Sequence, residues 1–429
     1  MQRVFVLSFV FFILLVALSW GGGQKEAATE VKTVTFWFPG GAGQEEYFNN
    51  VGKEFEVTAP NIKVEPTVLP PDSKDIDSKL NAAKLAGTFP DVFSAYLVFM
   101  GTRGALGDFE VLDPYIAQWP DKNDILQSAV DLGKYKGETV GLGFFPAPKL
   151  VPYRKDFFRE SGLDPEEPQK APTTWEELSN WGRKLTVRDP SGNVTRAGLD
   201  IPSSTPATVF IEPWMRQNGS MVIDEINLKP SWTDPGAVEA LQFVADLYNE
   251  NISIPHNLQQ WMEHPFSKGN GAIGFLLASV LVNMYNNDPA LKEEIGYIPV
   301  PERKEKVSFC GYRMFTIGAD SEVKEESWEF IKFMMTDEQM WKRYQELKIT
   351  PVRKSLQERF IQDDPAFNKS QIEYIQYGKG KAVTPWTTIA NKYLSQAYEE
   401  ALNRRKTARQ ALIDAEAGLL EELEKFEIQ

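Results

Sequence analysis

The sequence is poor in the residues that build covalent cross-links and metal sites, with one cysteine and two histidines among 429 residues. Cys310 alone cannot close a disulfide within the chain. In its apolar context we expect it to be a small buried side chain rather than a nucleophile. His256 and His264, without a pair of cysteines, leave little from which to build a transition-metal site. We therefore expect no metal ion and no cofactor.

Sequence motifs of the common enzyme classes are missing as well. There is no Gly-x-Ser-x-Gly elbow, no His-Glu-x-x-His pair and no phosphate-loop lysine. Residues 39–43 form a glycine-rich loop between a predicted strand and a predicted helix, but they lack the dinucleotide-binding pattern. We predict no catalytic residues. Glycoside hydrolysis remains an alternative function, because the two catalytic carboxylates of such an enzyme can lie anywhere among sixty acidic residues without forming a local sequence motif.

Basic residues and long apolar runs are also scarce. The 46 basic residues against 60 acidic ones give a net charge of −14, which argues against nucleic acids and anionic lipid surfaces as partners. The apolar run over residues 4–18 follows Arg3 and is shorter than the roughly 20 residues that span a bilayer. It predicts an export signal over residues 1–23, followed by a small polar tether over residues 24–30.

The rest of the chain predicts a large α/β protein. A chain of 429 residues is longer than the chains that usually fold around a single hydrophobic core, and its length suits two domains. Strand and helix patterns alternate from residue 31 onward, which indicates a mostly parallel sheet with helices on both faces. Ligands of such sheets lie beyond the carboxyl ends of the strands, which places Trp37 and Tyr96 on one rim. The 11 Trp, 14 Tyr and 27 Phe residues could offer faces for sugar rings, although most belong in cores.

Residues 141–178 carry the most informative pattern. An apolar run meets Pro146 and Pro148, a second extended piece follows, and Thr173 or Thr174 can cap a new helix. The order Tyr-Arg-Lys-Asp-Phe-Phe, Ser-Gly-Leu-Asp-Pro and Pro-Thr-Thr-Trp-Glu-Glu-Leu resembles the extracytoplasmic sugar-binding proteins of bacterial ABC importers. The Pro-Asp-Val segment at residues 90–92 and the Phe-x-x-Gly turn at residues 266–269 resemble the same family.

This resemblance implies a two-lobed α/β periplasmic-binding-protein fold of type II, the venus-flytrap fold. Each lobe would be a mostly parallel sheet flanked by helices. Lobe one would comprise residues 31–145 and 311–352, and lobe two residues 146–310 and 353–429. Many relatives carry a lipidated cysteine after the signal peptide, and this chain has none there.

The resemblance also implies a ligand site between the lobes. The implied ligand-binding residues are Trp37, Gln44, Glu45 and Tyr96 from lobe one, Phe145, Tyr312 and Arg313 near the crossings, and Trp214 and Phe275 from lobe two. Trp386 is a further candidate without a motif behind it.

The implied function is capture of a mono- or oligosaccharide outside the cytoplasm and its delivery to the transmembrane subunits of an ABC permease. The protein would be an exported monomer, in the periplasm or on the outer face of the cytoplasmic membrane, with no enzymatic activity. The alternative within the family is a phosphorylated solute such as glycerol-3-phosphate, which Arg313 and Arg353 could clamp if both faced the cleft. A purely structural surface protein is disfavoured, because the sequence has no internal repeat.

Overall fold

The computed structural model describes residues 31–165, 172–204, 208–258 and 260–427, so the predicted signal peptide and tether lie outside the described residues. The strands are β1 Lys32–Pro39, β2 Ile62–Leu69, β3 Val92–Tyr96, β4 Lys134–Tyr135, β5 Glu138–Thr139, β6 Leu142–Arg154, β7 Val187–Arg188, β8 Val194–Arg196, β9 Ile223–Asp224, β10 Lys229–Pro230, β11 Leu276–Leu277, β12 Ile295–Ile298, β13 Ser308–Ile317 and β14 Gly378–Lys379.

The α-helices account for most of the remaining regular structure. They are α1 Ala42–Thr58, α2 Ser73–Ala86, α3 Val98–Ala105, α4 Asp113–Gln118, α5 Gln127–Asp131, α6 Lys155–Glu160, α7 Trp175–Leu185, α8 Thr208–Gln217, α9 Pro235–Asn249, α10 Ala278–Asn287, α11 Leu291–Glu294, α12 Lys324–Met334, α13 Asp337–Leu347, α14 Gln357–Asp363, α15 Pro365–Gln376, α16 Thr387–Leu402 and α17 Ala408–Glu427. Among the described residues, no helix combines the length and the apolar character that a membrane crossing needs.

One eight-stranded sheet runs through the molecule in the order β11-β6-β13-β3-β1-β2, with β12 also paired to β6 and β14 to β13. Strands β1, β2 and β3 are parallel, as the alternating sequence pattern predicts. The pairing is antiparallel where β13 meets β3 and β6, and where β11 and β12 meet β6. The sheet is therefore mixed rather than mostly parallel, because the strands that pass between the two halves run in opposite directions.

Strand β6 is the longest element of the sheet and connects its two halves. Its first part pairs with β13 and its last part with β11 and β12. The register of β6 and β13 shifts between Arg313 and Met314, where Phe145 and Gly143 are their partners and Phe144 is the extra residue. A bulge of this kind turns the strand and is common beside binding sites.

Two hydrophobic clusters flank this connection. One draws its buried residues from 34–144 and 310–356, together with Ile375 and Val383, and the other from 150–300 and 367–419. The lobe boundaries drawn from the sequence remain a prediction. Leu356, Ile375 and Val383 belong to the first cluster although the sequence assigns their segment to lobe two.

The start of α7 follows the pattern expected from the sequence. The Thr174 hydroxyl accepts a hydrogen bond from the Glu177 backbone N–H at 3.2 Å, and the Glu177 carboxylate accepts one from the Thr174 N–H at 3.1 Å. This reciprocal cap satisfies donors that would otherwise be left at the helix terminus. It fixes where the chain turns after it leaves β6 and α6.

Candidate ligand cleft

A cavity of ≈ 540 Å³ lies beyond the carboxyl ends of β2 and β3, against the connection formed by β6 and β13. Its volume falls in the range of about 300–1,000 Å³ that is typical of small-molecule sites. We call it the cleft. It is lined by Pro71, Asp72, Ser73, Tyr96, Leu97, Val98, Phe145, Ala147, Phe309, Gly311, Tyr312, Arg313 and Lys381.

Arg313 lies at the centre of the interactions that shape this cleft. Its guanidinium carbon is 5.0 Å from the centroid of the Tyr96 ring and 5.1 Å from that of the Phe145 ring. Nη1 donates a hydrogen bond to the carbonyl oxygen of Pro39 at 2.8 Å, and Nη2 reaches the Tyr96 hydroxyl at 3.5 Å. Burial lowers the pKa of Arg313 from its ordinary value. The arginine thus joins the end of β1 to the end of β3.

The two cleft tyrosines are held by hydrogen bonds to neighbouring elements. The Tyr96 hydroxyl donates to the carbonyl oxygen of Pro71 at 2.9 Å, and the Tyr312 hydroxyl lies 2.9 Å from the Ser128 hydroxyl. Burial raises the pKa of Tyr312 well above its ordinary value, so this phenol stays neutral. The rings of the cleft are therefore fixed before a ligand arrives, which reduces the entropy lost on binding.

Trp214 and Phe275, predicted from lobe two, lie elsewhere. They line a separate cavity of ≈ 40 Å³, which has room for a few water molecules and not for a sugar. Trp214 is 5% exposed, and its ring centroid is 5.1 Å from that of Trp175 and 6.0 Å from that of Phe275. In this conformation both side chains are part of the second hydrophobic cluster. Phe309 lines both cavities.

Trp37, Gln44 and Glu45 do not line the cleft either. The Gln44 side-chain oxygen accepts a hydrogen bond from the Gly41 N–H at 3.0 Å, so this residue caps α1. Glu45 is exposed on the first turn of the same helix. Trp37 packs, partly buried, against the first hydrophobic cluster. Trp386 lines another cavity together with Leu423, and this cavity shares no lining residue with the cleft.

The structure does not bring Arg353 into the cleft beside Arg313, which a phosphate clamp by both would require. Arg353 Nε lies 2.7 Å from Asp124 and 2.6 Å from Asp337, and Nη2 lies 3.1 Å from Asp121. Its guanidinium is therefore occupied by three carboxylates, and it does not line the cleft. A phosphate cannot compete for it without breaking this cluster.

Sequence reasoning missed several cleft residues. Pro71 and Asp72 lie in the loop after β2 and Ser73 begins α2, which the Asp72 carboxylate caps by accepting from the Lys74 N–H at 2.8 Å. The rule that ligands lie beyond the carboxyl ends of parallel strands would have found this loop. Lys381 follows the short strand β14, and no local signal in the sequence marks it.

Comparison with known proteins decides the family. The sequence signature described as "Bacterial extracellular solute-binding protein" matches residues 41–341, which is more than half of the chain. The chain belongs to the bacterial extracellular solute-binding proteins. The match runs through β6 and β13, and so includes both strands that connect the halves of the sheet.

Individual proteins that are similar to this chain agree with the assignment. The maltotriose-binding protein of Pyrococcus abyssi is 23% identical over 384 residues, which are 84% of this chain and 73% of that protein. The sn-glycerol-3-phosphate-binding periplasmic protein UgpB of Escherichia coli is 26% identical over 176 residues, 39% of each chain. The structure of the sugar-binding protein MalE from Xanthomonas citri matches with a TM-score of 0.79 at 19% identity, covering 93% of this chain and 100% of that one. The predicted type II periplasmic-binding fold is confirmed.

Proposed function

We propose that this solute-binding protein captures an oligosaccharide in the cleft, outside the cytoplasm, and delivers it to the transmembrane subunits of an ABC permease. The observation that carries the proposal is the cleft itself: four aromatic side chains and two cations surround ≈ 540 Å³ at the connection of the two halves. Sugar-binding relatives of the same family support it, among them the maltotriose-binding protein. The protein would act as a monomer and without catalysis.

The chemistry of the cleft suits a sugar. Tyr96, Phe145 and Phe309 line the cleft and would contact the C–H groups of a pyranose with the ring surface that Arg313 does not cover. Asp72 and Lys381 offer an acceptor and donors to hydroxyl groups. A hydroxyl that loses water without gaining a partner costs about 1–3 kcal/mol, so these polar groups would select among hydroxyl patterns.

A closing motion follows from the position of the cleft. It lies against the two strands that connect the halves, so a ligand that touches both halves would favour a state in which they approach each other. The permease would then recognise the closed, loaded form. Trp37, Trp214 and Phe275 could meet the ligand only after such a rearrangement.

A phosphorylated solute is the second candidate, because Arg313 and Lys381 both line the cleft and UgpB belongs to the same family. The observed contacts of Arg313 disfavour it. Its guanidinium already donates to the Pro39 carbonyl oxygen and packs between two rings, so a phosphate would have to displace these interactions.

The test is a thermal-shift screen of the purified protein against maltotriose, other mono- and oligosaccharides, and glycerol-3-phosphate, followed by calorimetry with each hit. A ligand that binds only the native state raises the melting temperature. We expect Tyr96→Ala to weaken oligosaccharide binding by about five- to thirtyfold, equivalent to about 1–2 kcal/mol. Tyr135→Ala is the matched control, since this tyrosine is also partly buried but lies outside the cleft.

Three results would contradict the proposal. A shift with glycerol-3-phosphate alone would establish the second candidate. Release of shorter sugars from a bound oligosaccharide would establish a hydrolase. Equal losses of affinity in the Tyr96 and Tyr135 variants would show that the sugar binds elsewhere.

A further inference from the structure

The only two histidines of the sequence come together in the fold, next to a buried carboxylate. Asp200, His256 and His264 each offer one ligand atom, and the three atoms lie within 4.8 Å of one another. Asp200 and His264 are 1% exposed and His256 is 8% exposed. The three residues lie up to 64 positions apart in the sequence, on three separate segments, so no local sequence spacing predicts the cluster.

Each imidazole has one ring nitrogen that faces a backbone carbonyl oxygen. His256 Nδ1 faces the carbonyl oxygen of Ile254 at 2.9 Å, and His264 Nε2 faces that of Leu258 at 3.1 Å. A carbonyl can only accept, so each of these nitrogens carries the hydrogen and the opposite nitrogen keeps its lone pair. Histidines that bind metal ions are oriented by such outer partners.

Two buried atoms of the cluster have no hydrogen-bond partner, namely Asp200 Oδ1 and His256 Nε2. The other carboxylate oxygen of Asp200 accepts from the Phe266 N–H at 3.0 Å, which fixes the orientation of the carboxylate. Oδ1 packs over Gly271, where an added Cβ would come within 2.8 Å of it. A buried acceptor without a donor costs about 1–3 kcal/mol, more if it is charged, so such an atom calls for an explanation.

We propose that Asp200, His256 and His264 form a binding site for a divalent transition-metal ion, with Zn²⁺ as the best match. Two imidazoles and one carboxylate are a donor set that Zn²⁺ accepts, with bonds of about 2.0–2.2 Å and a fourth position open to water. The three side chains would move slightly inward, since tetrahedral ligands lie closer together than the present limit of 4.8 Å. This site is separate from the proposed sugar cleft.

Lys149 is the nearby cation that would oppose a metal ion, since burial lowers the pKa of both histidines and its charge lowers it further, but burial lowers the pKa of Lys149 itself to about 7. Its ammonium lies 5.4 Å from the centroid of the Phe210 ring and 3.4 Å from the carbonyl oxygen of Val209. Both partners line the small apolar cavity.

The metal ion would have a structural role. The segment around Asp200 lies between two others, since the Asp200 N–H donates to the Ile273 carbonyl oxygen and the Ser203 N–H to that of His256. An ion held by all three residues would cross-link these segments within the second cluster. Binding energy at such a site adds directly to folding stability.

The experiment uses the purified protein without a histidine tag, after treatment with a chelator and dialysis. Because the chain has no further histidine, imidazole binding elsewhere cannot contribute. Co²⁺ is titrated and its visible absorption recorded, since four-coordinate Co²⁺ absorbs strongly, and Zn²⁺ is then added in competition. We expect one Co²⁺ per chain, loss of the absorption on addition of Zn²⁺, and a higher melting temperature with Zn²⁺.

The variants separate this site from nonspecific binding. Asp200→Asn and His256→Gln should each weaken Co²⁺ binding at least tenfold, and His256→Gln serves alone if Asp200→Asn does not fold. Glu212→Gln is the matched control, since it neutralises another buried carboxylate that is not one of the three proposed ligands, and should bind Co²⁺ normally.

The proposal is overturned if the wild-type protein shows neither Co²⁺ absorption nor a Zn²⁺-dependent melting shift, or if the control loses binding as much as the two variants. Sugar binding is measured on the same preparations without metal, so failure here leaves the proposed function standing, and the reverse also holds.

Discussion

Replacement of Arg353 by methionine should destabilise the protein and leave its ligand affinity unchanged. The Arg353 side chain is 9% exposed and contacts Asp121, Asp124 and Asp337, which are 47%, 25% and 51% exposed. Removal of one partner of a fully buried ion pair costs about 3–5 kcal/mol, and an exposed pair contributes at most about 1 kcal/mol. For a buried guanidinium with half-exposed carboxylates we expect a loss of about 2–3 kcal/mol. Methionine keeps most of the packing of the aliphatic stem.

The assay is urea unfolding of the wild-type and Arg353→Met proteins, with the free energy of unfolding compared at an unchanged slope. Calorimetry with the sugar identified by the screen gives the second quantity, for which we expect no more than a twofold change. A loss below 0.5 kcal/mol, on the order of an ordinary surface substitution, would refute the ion-pair argument. If the folded variant binds the sugar ten times more weakly, Arg353 contributes to ligand binding and the prediction is wrong.

The difference between the two proteins should also depend on pH. Burial would raise the pKa of Asp124, but hydrogen bonds from Ser355 and Arg353 outweigh it and hold the pKa below its ordinary value. A carboxyl group with a lowered pKa contributes stability above its unfolded-state pKa and loses that contribution as the pH falls through its folded-state pKa. The wild-type advantage over Arg353→Met should therefore shrink in acid.

Three further predictions concern other buried positions. Burial raises the pKa of Glu212 to about 7, so between the unfolded-state pKa and pH 7 the folded protein binds a proton that the unfolded chain does not, and it loses stability as the pH rises through that window. At pH 8 the free energy of unfolding of Glu212→Gln should therefore exceed that of the wild type by about 3 kcal/mol. The difference should disappear in urea titrations at pH 4. Burial also raises the pKa of the Cys310 thiol, so a thiol reagent should label it only after unfolding, and rapid labelling of the native protein would contradict its position. Gly143→Ala places a Cβ 2.7 Å from the Tyr312 ring and should lower the free energy of unfolding by about 1–3 kcal/mol. In the control Gly311→Ala the nearest neighbour of the new Cβ is 3.7 Å away, so the melting temperature should equal that of the wild type.

The sequence predicted the fold because the fold depends on repeated, local features. Alternating strand and helix patterns and the cap at Thr174 act within a few residues and agree with the structure. The prolines at residues 146 and 148 do not interrupt the extended chain as their sequence pattern predicts, because both lie inside the continuous strand β6. The mixed strand pairing was missed, because the direction in which β13 returns is set by tertiary contacts.

The cleft could be predicted only in part. Tyr96, Phe145, Tyr312 and Arg313 share one cavity because they lie at strand ends or on the connecting strands, positions that a sequence pattern can locate. Trp214 offered the same kind of aromatic signal, but whether a ring faces a cavity or a core depends on the helix against which it packs. The histidine cluster depends on three distant segments, so composition alone argued against it.

Phe309 is shared by two compartments of different size, since the same residue lines the cleft of ≈ 540 Å³ and the small cavity of ≈ 40 Å³. A change of side chain at this one position would therefore alter the surroundings of Tyr96 in one space and of Trp214 and Phe275 in the other at the same time.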